Sequence, residues 1–575
     1  MKYSATLFLL LVSFAISHAQ PFTNVASGLP AVGRSAVAFA DFDNDNDLDI
    51  VMIGLDANYN AMGKIFLNQQ GSFQEVVSGI AGLYNSALAV ADYDLDGDMD
   101  IAMTGQDMTG FHTWLYQNNG SAEFTLTSVS LAAAGADGDL AWGDYNLDGL
   151  PDLVVSGGWN TSLYRNLGGG SFEEVEAGLT IMNSPSVDWG DCDNDGDPDL
   201  LMVGDAGSVA ETFIYLNNNG EFTRLETNIE GAVGGMASWG DYDNDGNLDL
   251  LITGKDLSLV PVSYVYRNNG DKTFSFANAG LVGTALGPAD WIDYDNDGDL
   301  DIMLAGENAG CGNASTRLYY NNGIGEFYEY LAGLPFVERA SSAWGDYDND
   351  GDYDLLLTGL SGDPVTRLYR NDLLSNDFQP NTPPGIPGDF YTYVSGDYAV
   401  ISWSRVTDAQ SPQEAITYNV MAGTQSGNIN VVSPMSDPVS GNRYCAGPGN
   451  AGNNDFMVFR GLLPGTFYFR VQAIDQAFAG SPFSEEGSFS IVETGINPTG
   501  TPQPTLVAIA NQLIITCNPL QSQQLQLFDA MGHLLFTQTL QQADCRISID
   551  RLPAGLYLAR LSGGMDLKVC KFVKR

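Results

Sequence analysis

Histidine is scarce in this 575-residue chain, with three copies, and bases are heavily outnumbered, 23 Lys and Arg against 71 Asp and Glu. Each scarcity removes a class of function. His18 lies in an apolar N-terminal leader, which leaves His112 and His533, far apart in sequence, too few for a Ser-His-Asp or Cys-His relay. No H-E-x-x-H zinc motif and no phosphate-binding P-loop occurs. A net charge of −48 argues against nucleic acid, whose recognition needs a basic footprint. Beyond the leader, no segment supplies the ~20 apolar residues that a membrane-spanning helix needs. The six cysteines (192, 311, 445, 517, 545 and 570) show no metal-binding C-x-x-C; their even number permits disulfides and leaves any pairing open.

The leader itself, Met1-Lys2-Tyr3 with Leu7–Ile16 and then Ser17-His18-Ala19, has the form of a secretory signal peptide. Residues 1–19 are expected to be removed after Ala19. Export would place the chain where calcium is millimolar, and extracellular calcium modules bind at about 10⁻⁴–10⁻³ M.

What the chain has in abundance is aspartate in register. A D-x-D-x-D-G-x-x-D signature starts at Asp41, Asp92, Asp144, Asp191, Asp241, Asp293 and Asp346, at spacings of 51, 52, 47, 50, 52 and 53 residues. A constant period near 50 marks a repeat architecture. Calcium takes about 6–8 oxygen ligands, and a glycine at position 6 allows the tight coil that brings positions 1, 3, 5 and 9 round one ion. The expected ligands are Asp41, Asp43, Asp45 and Asp49; Asp92, Asp94, Asp96 and Asp100; Asp144, Asn146, Asp148 and Asp152; and Asp191, Asp193, Asp195 and Asp199. The last three repeats offer Asp241, Asp243, Asp245 and Asp249; Asp293, Asp295, Asp297 and Asp301; and Asp346, Asp348, Asp350 and Asp354. About seven Ca²⁺ ions, one per repeat, follow from the pattern. Two copies depart from it: Asn46 replaces the glycine, and Asn146 replaces a charged ligand, which predicts a weaker third site.

Two further markers recur. Asn68, Asn118, Asn166, Asn217, Asn268, Asn321 and Asn371 follow aromatic strand-like runs and mostly enter a Gly turn, a hairpin signal. Phe39, Val90, Trp142, Trp189, Trp239, Trp291 and Trp344 stand two residues before each first aspartate. Core packing is the expected role of these rings, with sugar stacking as the alternative. Repeats of this length built from short strands fit four-stranded blades, hence an all-β, seven-bladed β-propeller over residues 20–380 with every ion on one face. Phe22–Val25 resembles the strand that ends each repeat and is expected to complete the last one. Residues 22–380 resemble the FG-GAP/VCBS repeat family, the propeller type of integrin α-subunits. The calcium motif carries the likeness; the literal Phe-Gly and Gly-Ala-Pro signatures are not evident.

The acidic period stops at the proline-rich 379–387 segment. Residues 381–494 then show an early Trp403 and the run Leu462-x-Pro464-x-Thr466-x-Tyr468, similar to fibronectin type III domains, in which Trp403 and Tyr468 would be structural. Residues 495–575 close on "LPAGLYLARL" and a basic final strand. This small C-terminal β-sandwich resembles the type IX secretion C-terminal sorting domain, which implies handling by that machinery and a cell-surface or released product.

The resemblance implies a non-catalytic, calcium-stabilised binding or adhesion protein for a glycan or extracellular protein ligand. An enzyme of the polysaccharide lyase or glycoside hydrolase kind, using paired carboxylates, is the alternative; no catalytic residue is nominated, because most propeller aspartates are committed to metal by their spacing. A scaffold that only displays other surface components would differ by binding no glycan or matrix ligand.

Overall fold

The computed structural model describes residues 22–158, 160–207, 209–308, 314–372, 381–445 and 447–492, together with the strands of the C-terminal segment between 505 and 574. The 1–19 leader and the chain around 380 and 494, where domain limits were expected, lie outside the described residues. Among the described residues every regular element is a strand. No helix among them is long and apolar enough to cross a membrane.

Each repeat folds as an up-and-down meander. In the fifth, Ala237–Gly240 pairs antiparallel with Asp249–Lys255 across the acidic loop, with Trp239 opposite Leu250. Asp249–Lys255 pairs with Pro261–Asn268, and that strand with Phe274–Ala277. The second strand is an unbroken apolar run, Leu250-Leu251-Ile252, fully buried. Continuous burial of this kind needs a neighbour on both faces of the sheet, and adjacent repeats supply it.

Five sheets have four strands; a sixth has nine, because Thr284–Ala285 joins the fifth repeat to the sixth through Val262 and Asn308. The first strands pack side by side, and that of the last repeat, Glu338–Gly345, returns against Gly33–Ala40 of the first. Phe22–Val25 adds to the final sheet with Phe22 opposite Asn371, as its sequence suggests, and its ring sits 6.0 Å from Trp344. The result is a closed, propeller-like ring.

A second set of ties runs round it. The side-chain amide of Asn68 donates to Leu48 O of its own repeat and to Tyr347 O of the preceding one at 2.7 Å. Asn118, Asn166, Asn217, Asn268, Asn321 and Asn371 repeat the cross-link, to Phe42, Tyr93, Tyr145, Cys192, Tyr242 and Tyr294. The residues that read as hairpin turns are therefore also the rivets between neighbours. The tryptophan markers are packed between repeats: Trp142 stacks on Tyr93 and Trp291 on Tyr242.

Residues 388–491 form two three-stranded sheets, Gly388–Ser395/Tyr398–Ser404/Phe456–Phe459 and Thr417–Gly423/Gly465–Ile474/Gly487–Ile491, over one apolar core. Trp403 is in that core, as expected. Tyr468 is not: it is only half-buried. The tyrosine that serves the structural role is Tyr418, fully buried, 5.4 Å from Trp403, its hydroxyl accepting from Val406 N at 3.0 Å.

This sandwich is seated on the acidic loops of the ring. Asp41 N donates to Tyr444 O, and Arg460 N to Leu147 O, each at 3.0 Å. Leu147 packs with Val400, Phe456 and Val458. Asn454 donates to Asp191, Gln476 to Asp241 O and Asn244, and Phe478 packs on Tyr353. The C-terminal strands form two further sheets, of three and four strands, and Leu525, Leu527 and Ala559 of the four-stranded one are buried.

Candidate metal centres

All seven nine-residue loops share one hydrogen-bond plan, read here from position 1. The position-1 carboxylate accepts from the backbone N–H of positions 5 and 6: Asp241 takes Asp245 N at 3.0 Å and Gly246 N at 2.8 Å. Position 5 accepts from position 7, as Asp245 does from Asn247 N. Position 9 is fully buried in every repeat and staples two strands. Asp249 takes Tyr242 N at 3.2 Å and Asn268 N at 2.7 Å, a pair repeated in all but the third loop, where Asp152 takes Asn166 N at 2.7 Å and the Asn146 side chain.

The coil requires left-handed backbone at two places. Position 6 holds it in every loop, glycine φ running from 84° to 95° and Asn46 at 69°. Asparagine tolerates this region best after glycine, so the first loop closes without its glycine. Position 4 is also left-handed, at Asn44, Leu95, Leu147, Asn194, Asn244, Asn296 and Asn349. Here asparagine does more than tolerate the turn. Asn349 Nδ2 donates to Asp47 at 2.8 Å, Asn44 to Asp98 at 2.6 Å and Asn244 to Asp299 at 2.6 Å, each linking its loop to the next. Leu95 and Leu147 break that chain, and Leu147 is the one that packs under the sandwich.

Position 3 carries the observation that matters most for metal. Oδ1 of Asp43, Asp94, Asp193, Asp243, Asp295 and Asp348 is buried and accepts no hydrogen bond. A buried anionic oxygen without a donor is costly, several kcal/mol before compensation. Six at one place in six loops point to a cation. The donor set agrees with a hard divalent ion: Asp41, Asp43 and Asp45 each place a carboxylate oxygen within 4.8 Å of the others, as do Asp92, Asp94 and Asp96, and Asp293, Asp295 and Asp297. In the fourth and fifth repeats the close group includes position 9 instead of position 5: Asp191, Asp193 and Asp199, and Asp241, Asp243 and Asp249. The residues present fit the group.

The seventh copy is the exception. Asn146 in the third repeat satisfies itself, Nδ2 donating to Asp152 at 2.9 Å and Oδ1 accepting from Asp148 N at 3.0 Å. Arg165 adds a guanidinium 3.2 Å from Asp148. Cations of the chain touch other loops too, Arg267 on Asp243 and Asp245, and Lys272 on Asp193, without removing the orphaned oxygens.

Without a bound cation, burial, opposed by hydrogen bonds and reinforced by neighbouring carboxylates, holds these acids above the usual range. Asp41 rises to about 6, Asp92, Asp144, Asp241 and Asp346 to about 7, and Asp49 to about 8. Asp100, Asp152 and Asp249 reach about 9, and burial also holds Asp293 and Asp301 well above the ordinary value.

His112 stacks on Trp114 and bonds Asp107 and Thr109 in a surface hairpin; His533 lies outside the described residues. Cys192 and Cys445 are free thiols; Cys311 and Cys517 lie outside the described residues, and Cys545 and Cys570 fall in strands of the C-terminal segment.

Comparison with known proteins agrees with the repeats and the tail. The FG-GAP-like repeat matches residues 41–103, 92–155, 144–202, 191–252 and 293–357, and the secretion system C-terminal sorting domain matches 507–575. No curated protein matches the chain. Among solved structures, an Agrocybe aegerita lectin specific for non-reducing terminal N-acetylglucosamine is 22% identical, covering 53% of this chain and 80% of its own, at a TM-score of 0.38. The Bacillus licheniformis rhamnogalacturonan lyase PL11 is 15% identical over 61% of this chain and 74% of its own, at 0.35. The Aleuria aurantia lectin is 10% identical over 53% of this chain and 99% of its own, at 0.31. The chain thus carries five matched FG-GAP-like repeat segments, which take in all seven acidic loops, followed by a C-terminal sorting domain that marks it for export by the type IX secretion system.

Proposed function

We propose that this is an exported, cell-surface or released binding protein, without catalytic activity, whose seven-bladed propeller is held by about seven calcium ions and engages a glycan or extracellular protein ligand. The supporting observation is the repeated orphaned oxygen at position 3, which explains the acidity as a metal property: seven Ca²⁺ would offset fourteen of the 48 net negative charges. Residues 388–491 are read as a fibronectin type III-like module that locks the metal-loop face.

Three carboxylates outside the loops line the central cavity: Asp137, which is exposed, and Asp139 and Asp290, both raised by burial to about 6. Asp139 accepts from Val187 N at 3.0 Å and Leu140 N at 2.9 Å; Asp290 accepts from Ser342 and from Trp344 Nε1. These bonds tie one inner strand to the next, which accounts for both acids structurally and supports binding over carboxylate catalysis.

The test is the calcium-loaded chain on glycan and matrix-protein arrays, with and without chelator, beside an assay for new reducing ends on the polysaccharides it binds. Calcium-dependent binding without cleavage is expected. Cleavage would install the lyase or hydrolase reading, and absence of any ligand would leave a display scaffold.

A further inference from the structure

Seven residues ahead of each first aspartate stands a second register of unusual backbone. Arg34, Asn85, Asp137, Ser184, Gly234, Leu286 and Arg339 all have positive φ, between 42° and 65°. Six of the seven are not glycine. Around four of them the inner strand skips a pairing with its neighbour, between Gly33 and Ala36, Tyr84 and Ala87, Asn183 and Ser186, and Glu338 and Ser341. Bulges of this kind re-aim side chains and cluster beside functional sites.

All seven line one cavity of about 310 Å³. It lies at the end of the inner strands away from the metal loops, six or so residues or about 20 Å distant. The sandwich is seated at the opposite, loop end. The volume is at the lower end of the range for small-ligand sites, about 300–1,000 Å³.

Arg34 and Arg339 come from the first and last repeats, whose inner strands pack together. Arg34 Nη1 donates to Asn85 Oδ1 at 3.2 Å, and among the described residues neither arginine forms an ion pair with a carboxylate. In a chain with 71 acids and 23 bases, two half-buried arginines stand at one mouth with no ion pair, while the buried acids beside them, Asp139 and Asp290, are engaged by their own strand-to-strand hydrogen bonds and Asp137 is exposed. Asn85, Asp137 and Ser184 add hydroxyl partners alongside, and Leu286, Met236 and Pro288 give an apolar wall.

We propose that this mouth binds a carboxylate-bearing sugar, the two guanidiniums holding the carboxylate, the polar side chains its hydroxyls and the apolar wall its C–H face. A guanidinium fork matches a carboxylate in geometry as well as charge. The inference rests on the binding reading above and adds its ligand class and location.

Titration of the calcium-loaded full chain with glucuronate or galacturonate, against glucose or galactose, tests it by calorimetry. The acidic sugars should bind at least tenfold more tightly than the neutral ones. Arg34→Gln with Arg339→Gln should abolish that preference while leaving the calcium-loaded melting temperature within a degree or two. Equal binding of acidic and neutral sugars, or a preference that survives the double substitution, would overturn the site. Tighter binding of an acidic oligopeptide than of either uronate would overturn the sugar assignment. If the arrays find a ligand indifferent to both arginines, the binding reading stands and this site falls; if they find none, both fall.

Discussion

In loop 293–301 five aspartates face one another, and among the described residues no lysine or arginine pairs with any of them. In loop 144–152 three aspartates remain, Asn146 bonds two of them internally, and Arg165 stands against Asp148. The backbone plan is the same: position 1 takes the same two N–H groups at 3.0 Å in the sixth repeat and 3.1 and 2.8 Å in the third. One loop leaves a buried oxygen without a donor; in the other an amide and a guanidinium bond the aspartates, which predicts weaker demand for a cation. Fold and metal requirement are therefore separable within a single repeat.

Loss of all the cations should produce the largest effect. In chelator, the carboxylates keep folded pKa values above the ordinary 3.8, so the folded state binds more protons than the unfolded chain. Their contribution is fully present below about pH 4 and is lost as pH rises through about 6 to 9. Melting temperature in chelator should fall by on the order of 10 °C from pH 5 to pH 8. With calcium the trend should flatten or reverse, because the ligands bind deprotonated. A metal-free protein insensitive to pH would break the comparison.

Asp301→Ala comes next. It strands Tyr294 N and Asn321 N, at about 1–3 kcal/mol each. Asp152→Ala in the third repeat should cost a similar amount, because it strands Asn166 N and the Asn146 amide, so position 9 is a staple there too. Denaturant melts in calcium and in chelator decide it; a loss seen only with calcium would make position 9 a metal ligand and little else. By the same reasoning, alanine at position 1 harms both loops and does not discriminate between them.

Position 3 does discriminate. Asp295→Asn should lose about 1–2 kcal/mol in calcium and gain stability in chelator, where it relieves repulsion from Asp297. Asn146→Asp should do the opposite by about 1 kcal/mol, gaining with calcium and losing without it. The same sign in both media for either substitution would contradict the pairing of orphaned oxygen with metal. The smallest effect expected is Arg165→Gln, under about 1 kcal/mol, since that side chain is 41% exposed.

Much of this was legible in the chain because local chemistry repeats seven times. The D-x-D-x-D-G spacing located every loop, Asn46 stood in for glycine as its tolerance predicts, and Asn146 marked the odd site. Ring closure by Phe22–Val25 followed from likeness to Phe73–Val76. Contacts between distant segments were not legible. The asparagines that read as turns also rivet neighbouring repeats, since a side-chain amide's partner some 76 residues away leaves no local trace. Asparagine at position 4 was visible, but its bond to the next loop depends on repeats standing in a ring. Tyr418 rather than Tyr468 ties the sandwich because burial, not motif spacing, decides which hydroxyl needs a partner. The seating of the sandwich on the acidic loops was hidden for the same reason: Tyr444, Asn454, Arg460 and Gln476 are ordinary polar residues until the loops meet them.

The most direct test is thermal unfolding of the full chain in millimolar calcium and again in excess chelator at pH 7.5. Structural metal at six or seven sites predicts a fall in melting temperature of on the order of 10 °C or more on chelation, restored by returning calcium. Identical melting temperatures in the two buffers would mean that the orphaned oxygens hold no cation, and the account of this ring would fail at its centre.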